Sequence, residues 1–172
     1  LSSGERTNPW MQESSNKIIQ QGEIVSFDTD MVGPYGYCAD ISRTFVCGNI
    51  FNDNQKKLYL MAVNQINHNS SLIKDGTSFK EFIEKSWKLP EEYYGNRYSV
   101  MVHGIGLCDE WPSIRYPTDG GDKGGIFRKN MTITIESYIG KVGGKEGVKL
   151  EQQYLIGENG LELMSHHPLE DI

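Results

Sequence analysis

Phe27-Asp28-Thr29-Asp30-Met31-Val32-Gly33-Pro34-Tyr35-Gly36-Tyr37-Cys38-Ala39-Asp40 reads as strand, tight turn, strand. Ile24 to Asp30 is rich in β-formers, and Gly33-Pro34-Tyr35-Gly36 carries turn chemistry. Tyr37 to Val46 is β-rich again, and the hairpin closes at Gly48-Asn49. Alternate residues of a strand share a face, so Asp28 and Asp30 point the same way. Paired positions in a hairpin are equidistant from its turn. An Asp30–Asp40 pair centres on Tyr35 and an Asp28–Asp40 pair on Pro34, both inside the predicted turn. Three carboxylates on one face repel one another unless water solvates them or a cation sits among them. At this hairpin alone, a solvated polar face and half of a cation site are both open.

With 172 residues, 37% hydrophobic and 10% aromatic, the chain is long and apolar enough for one globular domain, residues 1–172. A formal net charge of −6 argues against nucleic acid or an anionic membrane surface as the main partner. There is no apolar run of membrane-spanning length and no signal-peptide pattern. The chain opens at Leu1 without a methionine, which reads as a fragment cut from a longer protein. Cys38, Cys47 and Cys108 form no CxxC pair and leave an odd thiol, which fits a reducing cytoplasm. Cys108 reads as a small buried filler rather than a nucleophile.

Elsewhere, Lys17-Ile18-Ile19 reads as a short extended piece. Asn52-Asp53-Asn54 can cap a helix, and Leu58, Met61, Ala62, Gln65 and Ile66 keep helical spacing towards Ile73. Phe79, Phe82, Ile83 and Trp87 mark one face of a second helix, which Pro90 stops. Glu91 to Arg97 reads as loop, Tyr98 to His103 as a short strand, and Gly104 to Asn130 as an irregular, Gly- and Pro-rich segment. Met131 to Glu136 is a strand, Gly143-Gly144 a turn, Val148 to Ile156 a strand and Leu161 to Met164 a last one. The order of hairpin, helices and antiparallel strands indicates an α+β fold.

The C-terminal hairpin resolves much of the ambiguity. Glu136 and Glu151 are equidistant from the point between Gly143 and Gly144, so antiparallel pairing brings them together. Two hairpins that each converge carboxylates are hard to assign to chance. His103 ends its own strand, and Gly104-Ile105-Gly106 allows close backbone approach. The set Asp28, Asp30, Asp40, His103, Glu136 and Glu151 has the composition of a two-metal site, hard oxygen donors with one imidazole.

The order Asp, Asp, His, Glu, Glu, with the stretches GYCADISRT, HGIGL and GVKLE, resembles the pita-bread fold of methionine aminopeptidases and Xaa-Pro peptidases over nearly the whole chain. That resemblance implies a curved antiparallel sheet with helices on its outer face, and Asp28 and/or Asp30, Asp40, His103, Glu136 and Glu151 as metal ligands. Two departures stand out. The peptidases carry a histidine after HGIGL where this chain has Asp109, and another upstream where it has only Asn8-Pro9-Trp10. Asp28-Thr29-Asp30 also replaces the usual Asp-x-Gly.

In these departures, and in RTNPW and HGIGLCDEWPSI, the chain is similar to the dimethylsulfoniopropionate (DMSP) lyases of the DddP type. This resemblance implies cleavage of DMSP to acrylate and dimethyl sulfide, with Asp109 as base. It implies iron as the metal, an additional N-terminal domain missing here, and a homodimer; the donor set alone leaves manganese, cobalt or zinc open. An aspartate is a weak base in water, so aromatic neighbours such as Trp111 and Tyr98 would have to exclude solvent around it. A dimethylsulfonium cation suits aromatic faces, which points to Tyr98 and Trp111 as substrate contacts, and to Trp10 or Tyr116. Each has a plainer alternative: Tyr98 as a packing residue, the tryptophans as core or interface, Asp109 as a solvated loop acid. Arg43 reads as structural, and His68, His166 and His167 as surface residues. A pita-bread metallopeptidase and a non-catalytic binding module are the competing functions.

Overall fold

The computed structural model describes residues 1–10, 12–48, 50–170 and 172. A two-residue strand β1 (Ser2–Ser3) pairs with β2 (Ile24–Val32), which forms the first hairpin with β3 (Cys38–Val46). The turn is a 3-10 segment at Pro34–Gly36, and Asp30 lies opposite Asp40, so the hairpin centres on Tyr35. Asn49, where the hairpin was expected to close, lies outside the described residues. No strand covers Lys17–Ile19; Lys17 is spent instead on an ion pair with Glu23.

The long helix α1 (Asp53–Ser71) starts where the cap was expected. Asn52 and Gln55 form a reciprocal capping box, each side chain bonding the other's backbone N–H. The second helix, α2 (Phe79–Lys85), ends well before Pro90. Trp87 leaves the predicted apolar face because its backbone N–H donates to the Asn69 side chain of α1, a tertiary partner that local periodicity cannot reveal. A single helical turn, α3 (Glu91–Tyr94), replaces part of the expected loop and buries Tyr93.

The remaining strands are β4 (Val100–Gly104), β5 (Ser113–Arg115), β6 (Thr132–Gly140), β7 (Gly147–Ile156) and β8 (Leu161–Leu163). They form one antiparallel sheet in the order β5-β4-β6-β7-β8, separate from the three-stranded sheet β1-β2-β3. Apolar residues gather in two clusters. Leu58, Tyr59, Ala62 and Ile66 of α1 pack on Ile139, Val148 and Leu150. Phe79, Phe82 and Ile83 of α2 pack on Met101, Ile114, Ile133 and Ile135. The helices thus cover one face of the larger sheet and leave the other to the site.

The two sheets are tied where β3 runs beside β7. Thr44 Oγ1 donates to the Lys149 carbonyl and accepts from its N–H, while Asp40 N–H donates to Gln153 Oε1. Arg43, expected to be structural, is buried and donates to the carbonyls of Ser42, Glu151, His167 and Pro168. One side chain therefore clamps β3, β7 and the C-terminal segment together.

Candidate metal centre and base

Five elements converge on one cluster. The β2–β3 register puts Asp28 opposite Ser42 and Asp30 opposite Asp40; the β6–β7 register puts Glu136 opposite Glu151. His103, on β4, lies beside Thr134 of β6, next to the glutamates. Three overlapping groups result, each with ligand atoms within 4.8 Å of one another: His103, Glu136 and Glu151; Asp28, Asp40 and Glu151; Asp40, His103 and Asp109. Shared members join them into a single site. Asp30 shares the face of Asp40 but is exposed and stays outside these groups, among the described residues.

The imidazole of His103 is oriented from behind. Its Nδ1 lies 3.1 Å from the Gly104 carbonyl, so Nδ1–H donates there and Nε2 is left to face the acids. From Nε2, Glu151 Oε1 is at 3.3 Å, Glu136 Oε1 at 3.5 Å and Asp40 Oδ2 at 3.6 Å. Glu151 Oε1 and Asp40 Oδ1 are buried without a hydrogen-bond partner among the described residues. Buried carboxylate oxygens are costly unless a donor or cation faces them. Orphaned hard oxygens around one imidazole nitrogen are what a first-row metal ion requires, so the residues fit the metal that their pattern implies.

The electrostatics agree. Burial and then the charges of Glu151 and Glu136 push Asp40 up to about 10. Burial and the charge of Glu151 lift Glu136 to about 7. Burial would drive a proton off His103, yet the Glu136 and Glu151 carboxylates facing its Nε2 raise it to about 11. Burial would also raise Glu151, but Lys149 and His103 outweigh it and hold this carboxyl far below its ordinary range. The field that draws protons onto Asp40 and His103 would draw a metal ion as well.

Two buried residues of the site had no role in the sequence reading. Lys149 Nζ pairs with Glu136 Oε2, lies 3.4 Å from Glu151 Oε2, and donates to Ser42 Oγ at 3.0 Å. Ser42 in turn donates to Asp28 Oδ1 and lies 3.0 Å from Glu151 Oε2. The signal was present. Lys149 precedes Glu151 by two on a strand, and Ser42 follows Asp40 by two, so each shares a face with a ligand.

Asp109 sits on the other edge of the imidazole, its Oδ1 3.9 Å from His103 Nδ1, with 31% of its side chain exposed. The Glu110 N–H donates to the same oxygen, and Glu110 adopts the left-handed conformation (φ 57°) that this tight loop demands. The expected aromatic wall is only partly present. Trp111 is 58% exposed, with Lys123 Nζ 5.6 Å from its ring. Tyr98 is half-buried, packs tilted against Trp10 with ring centroids 5.4 Å apart and lies under Lys149 Nζ at 5.1 Å, so it reaches the cage. Tyr116 is buried in the apolar core and is engaged by Gln65, so it faces no substrate. Cys108 is exposed, against the expectation of a buried filler, because the loop after Ile105 leaves the core. His68 caps the end of α2 through the Lys85 carbonyl, and His167 packs on Phe45.

Residues 1–158 match the model of Peptidase_M24, metallopeptidase family M24. The chain belongs to this family. Among M24 relatives, it is 40% identical to the dimethylsulfoniopropionate lyase DddP of Roseovarius nubinhibens, over 99% of this chain and 39% of that protein. It is 37% identical to the DddP of Roseobacter denitrificans over the same shares, and 29% identical to the uncharacterized peptidase YqhT of Bacillus subtilis. Among solved structures, the prolidase of Pyrococcus furiosus superposes with a TM-score of 0.79 at 27% identity, covering 97% of this chain and 48% of that one. The X-Pro aminopeptidase of Thermotoga maritima gives 0.78 at 26%, covering 98% and 47%. The pita-bread M24 fold expected from the motifs is therefore the fold observed. The chain spans about two-fifths of the length of the curated lyases it matches.

Proposed function

We propose that the protein carrying this chain is a metal-dependent lyase that cleaves DMSP to acrylate and dimethyl sulfide. The observation that carries this reading is Asp109. A carboxylate, rather than a histidine, stands beside the metal cluster, within 4.8 Å of an Asp40 oxygen and open on one side. The likeness to two DMSP lyases over 99% of the chain supports the substrate.

In this reading Asp28, Asp40, His103, Glu136 and Glu151 hold the metal, with Asp30 beside them. Two ions are the proposed complement, with iron first and manganese, cobalt or zinc as alternatives. A bound ion would supply Lewis acidity to the substrate carboxylate and so acidify its α-proton. Asp109 takes that proton. The electron pair of the broken C–H bond becomes the new double bond, and the C–S pair leaves on sulfur, turning a sulfonium cation into neutral dimethyl sulfide. No water attacks and no amine needs protonating, which accounts for the missing peptidase histidines. Tyr98 and Trp111 are the proposed walls for the dimethylsulfonium end. We further infer a homodimer, supported by the exposed apolar tip Met31, Val32 and Tyr35, and a cytoplasmic setting, supported by free thiols.

A metallopeptidase is the second reading, favoured by the prolidase fold. Metal-loaded full-length protein should release headspace dimethyl sulfide from DMSP and no free amine from proline dipeptides. Amine without dimethyl sulfide would exclude the lyase. Asp109→Asn should lower the elimination rate by about 10²–10⁴-fold with metal content unchanged. Full activity in that variant would remove Asp109 from the base role.

A further inference from the structure

Lys149 is unusual as an ammonium group buried inside a nest of acids. It is 4% exposed, and the acids it touches, Glu136 and Glu151, are themselves buried. Its contacts are unequal. It pairs closely with Glu136 Oε2, while Glu151 Oε2 is 3.4 Å away and is shared with the Ser42 hydroxyl. Both Oε1 atoms point instead at His103 Nε2. Glu151 belongs both to the group with His103 and Glu136 and to the group with Asp28 and Asp40, whereas Glu136, among the described residues, joins the first alone.

We propose that Lys149 is a positioning residue of the metal centre, which holds back Glu136 Oε2 so that Glu136 offers the metal its Oε1 alone. The proposal rests on the metal-centre reading above. Its physical basis is competition. A carboxylate with both oxygens free chelates an ion in a flexible mode, whereas one with an oxygen tied to a fixed ammonium binds through the other alone. Lys149 cannot drift away, because Ser42 and the Tyr98 ring hold it on its other sides. A long-stemmed cation on a rigid strand thus sets the coordination mode, in the way that outer partners of metal ligands do elsewhere.

The test compares full-length protein and its Lys149→Met and Lys149→Arg variants, each loaded with Co²⁺ and read by visible absorption. Release of Glu136 Oε2 raises the coordination number, so Lys149→Met should show a weaker, shifted cobalt band with its circular dichroism unchanged. Lys149→Arg, which keeps a cation on Oε2, should retain the wild-type band. Elimination by Lys149→Met should fall by about 10–100-fold. A folded Lys149→Met protein with a wild-type cobalt band would overturn the proposal. If Lys149→Met does not fold, a crystal structure of wild-type protein soaked with Co²⁺ decides: Glu136 bound through Oε1 alone, with Oε2 on Lys149, supports it, and a chelating Glu136 overturns it. Wild-type protein that binds no Co²⁺ would instead overturn the metal-centre reading itself.

Discussion

Asp28 and Asp30 occupy the same strand face two residues apart, yet their surroundings differ. Asp28 is opposite Ser42, accepts its hydroxyl and lies within ligand distance of Asp40 and Glu151. Asp30 is opposite Asp40 but exposed near the hairpin tip. Alternation predicts their common face and cannot predict this difference, because it depends on how far β7 extends beneath the hairpin. Asp28→Asn should therefore lower bound metal, measured by elemental analysis after dialysis, more than Asp30→Asn does. Equal losses would place both carboxylates on the metal.

At the scale of elements, the loop after β4 matters most, since it carries Asp109. Gly104 N–H donates to the Pro112 carbonyl, folding the loop back on its own strand. A Cβ at Gly104 would lie 2.1 Å from the Trp111 carbonyl oxygen, a backbone atom with little room to move. Gly104→Ala should cost about 1–3 kcal/mol of stability. It should also impair elimination, because the displaced loop takes Asp109 with it. A urea melt and a dimethyl sulfide assay on the same preparation would check both; wild-type values in each would show that the loop is not held by this approach. The glycine motif was legible in the sequence. Its purpose was less so, since the clashing carbonyl lies seven residues further along the chain.

Across the whole molecule, the acid cluster joins two sheets, so its charge state bears on stability. In metal-free protein Asp40 rises from 3.8 to about 10, Glu136 from 4.5 to about 7 and His103 from 6.5 to about 11. Groups with raised folded-state values hold extra protons in the fold, so their contribution is present at low pH and is lost as pH rises through the folded values. Glu151 runs the other way, but its contribution disappears only in acid, below its ordinary 4.5. From pH 6 to 9 the sign is therefore downward. Chelated protein should unfold at lower urea concentration at pH 9 than at pH 6. Added metal should stabilise it more at pH 9, since Glu136 has by then lost its proton, those on Asp40 and His103 are displaced more easily, and binding favours the folded state. A chelated protein that gains stability towards pH 9 would contradict this account.

By itself the sequence determined both hairpins, the pairing of Glu136 with Glu151 and, to within two choices, the register of the first hairpin, because strand alternation and turn symmetry are local rules. It also determined the family resemblance and the position of Asp109 relative to His103. Only the tertiary structure decided what lies between the hairpins. Alternation put Lys149 and Ser42 each on a ligand's face, but they meet because β3 packs beside β7, a contact across more than a hundred residues that no periodicity encodes. The early end of α2, the exposed Cys108 and the outward Trp111 have the same origin. Each depends on which surface another element happens to cover, and burial is a property of the assembled fold.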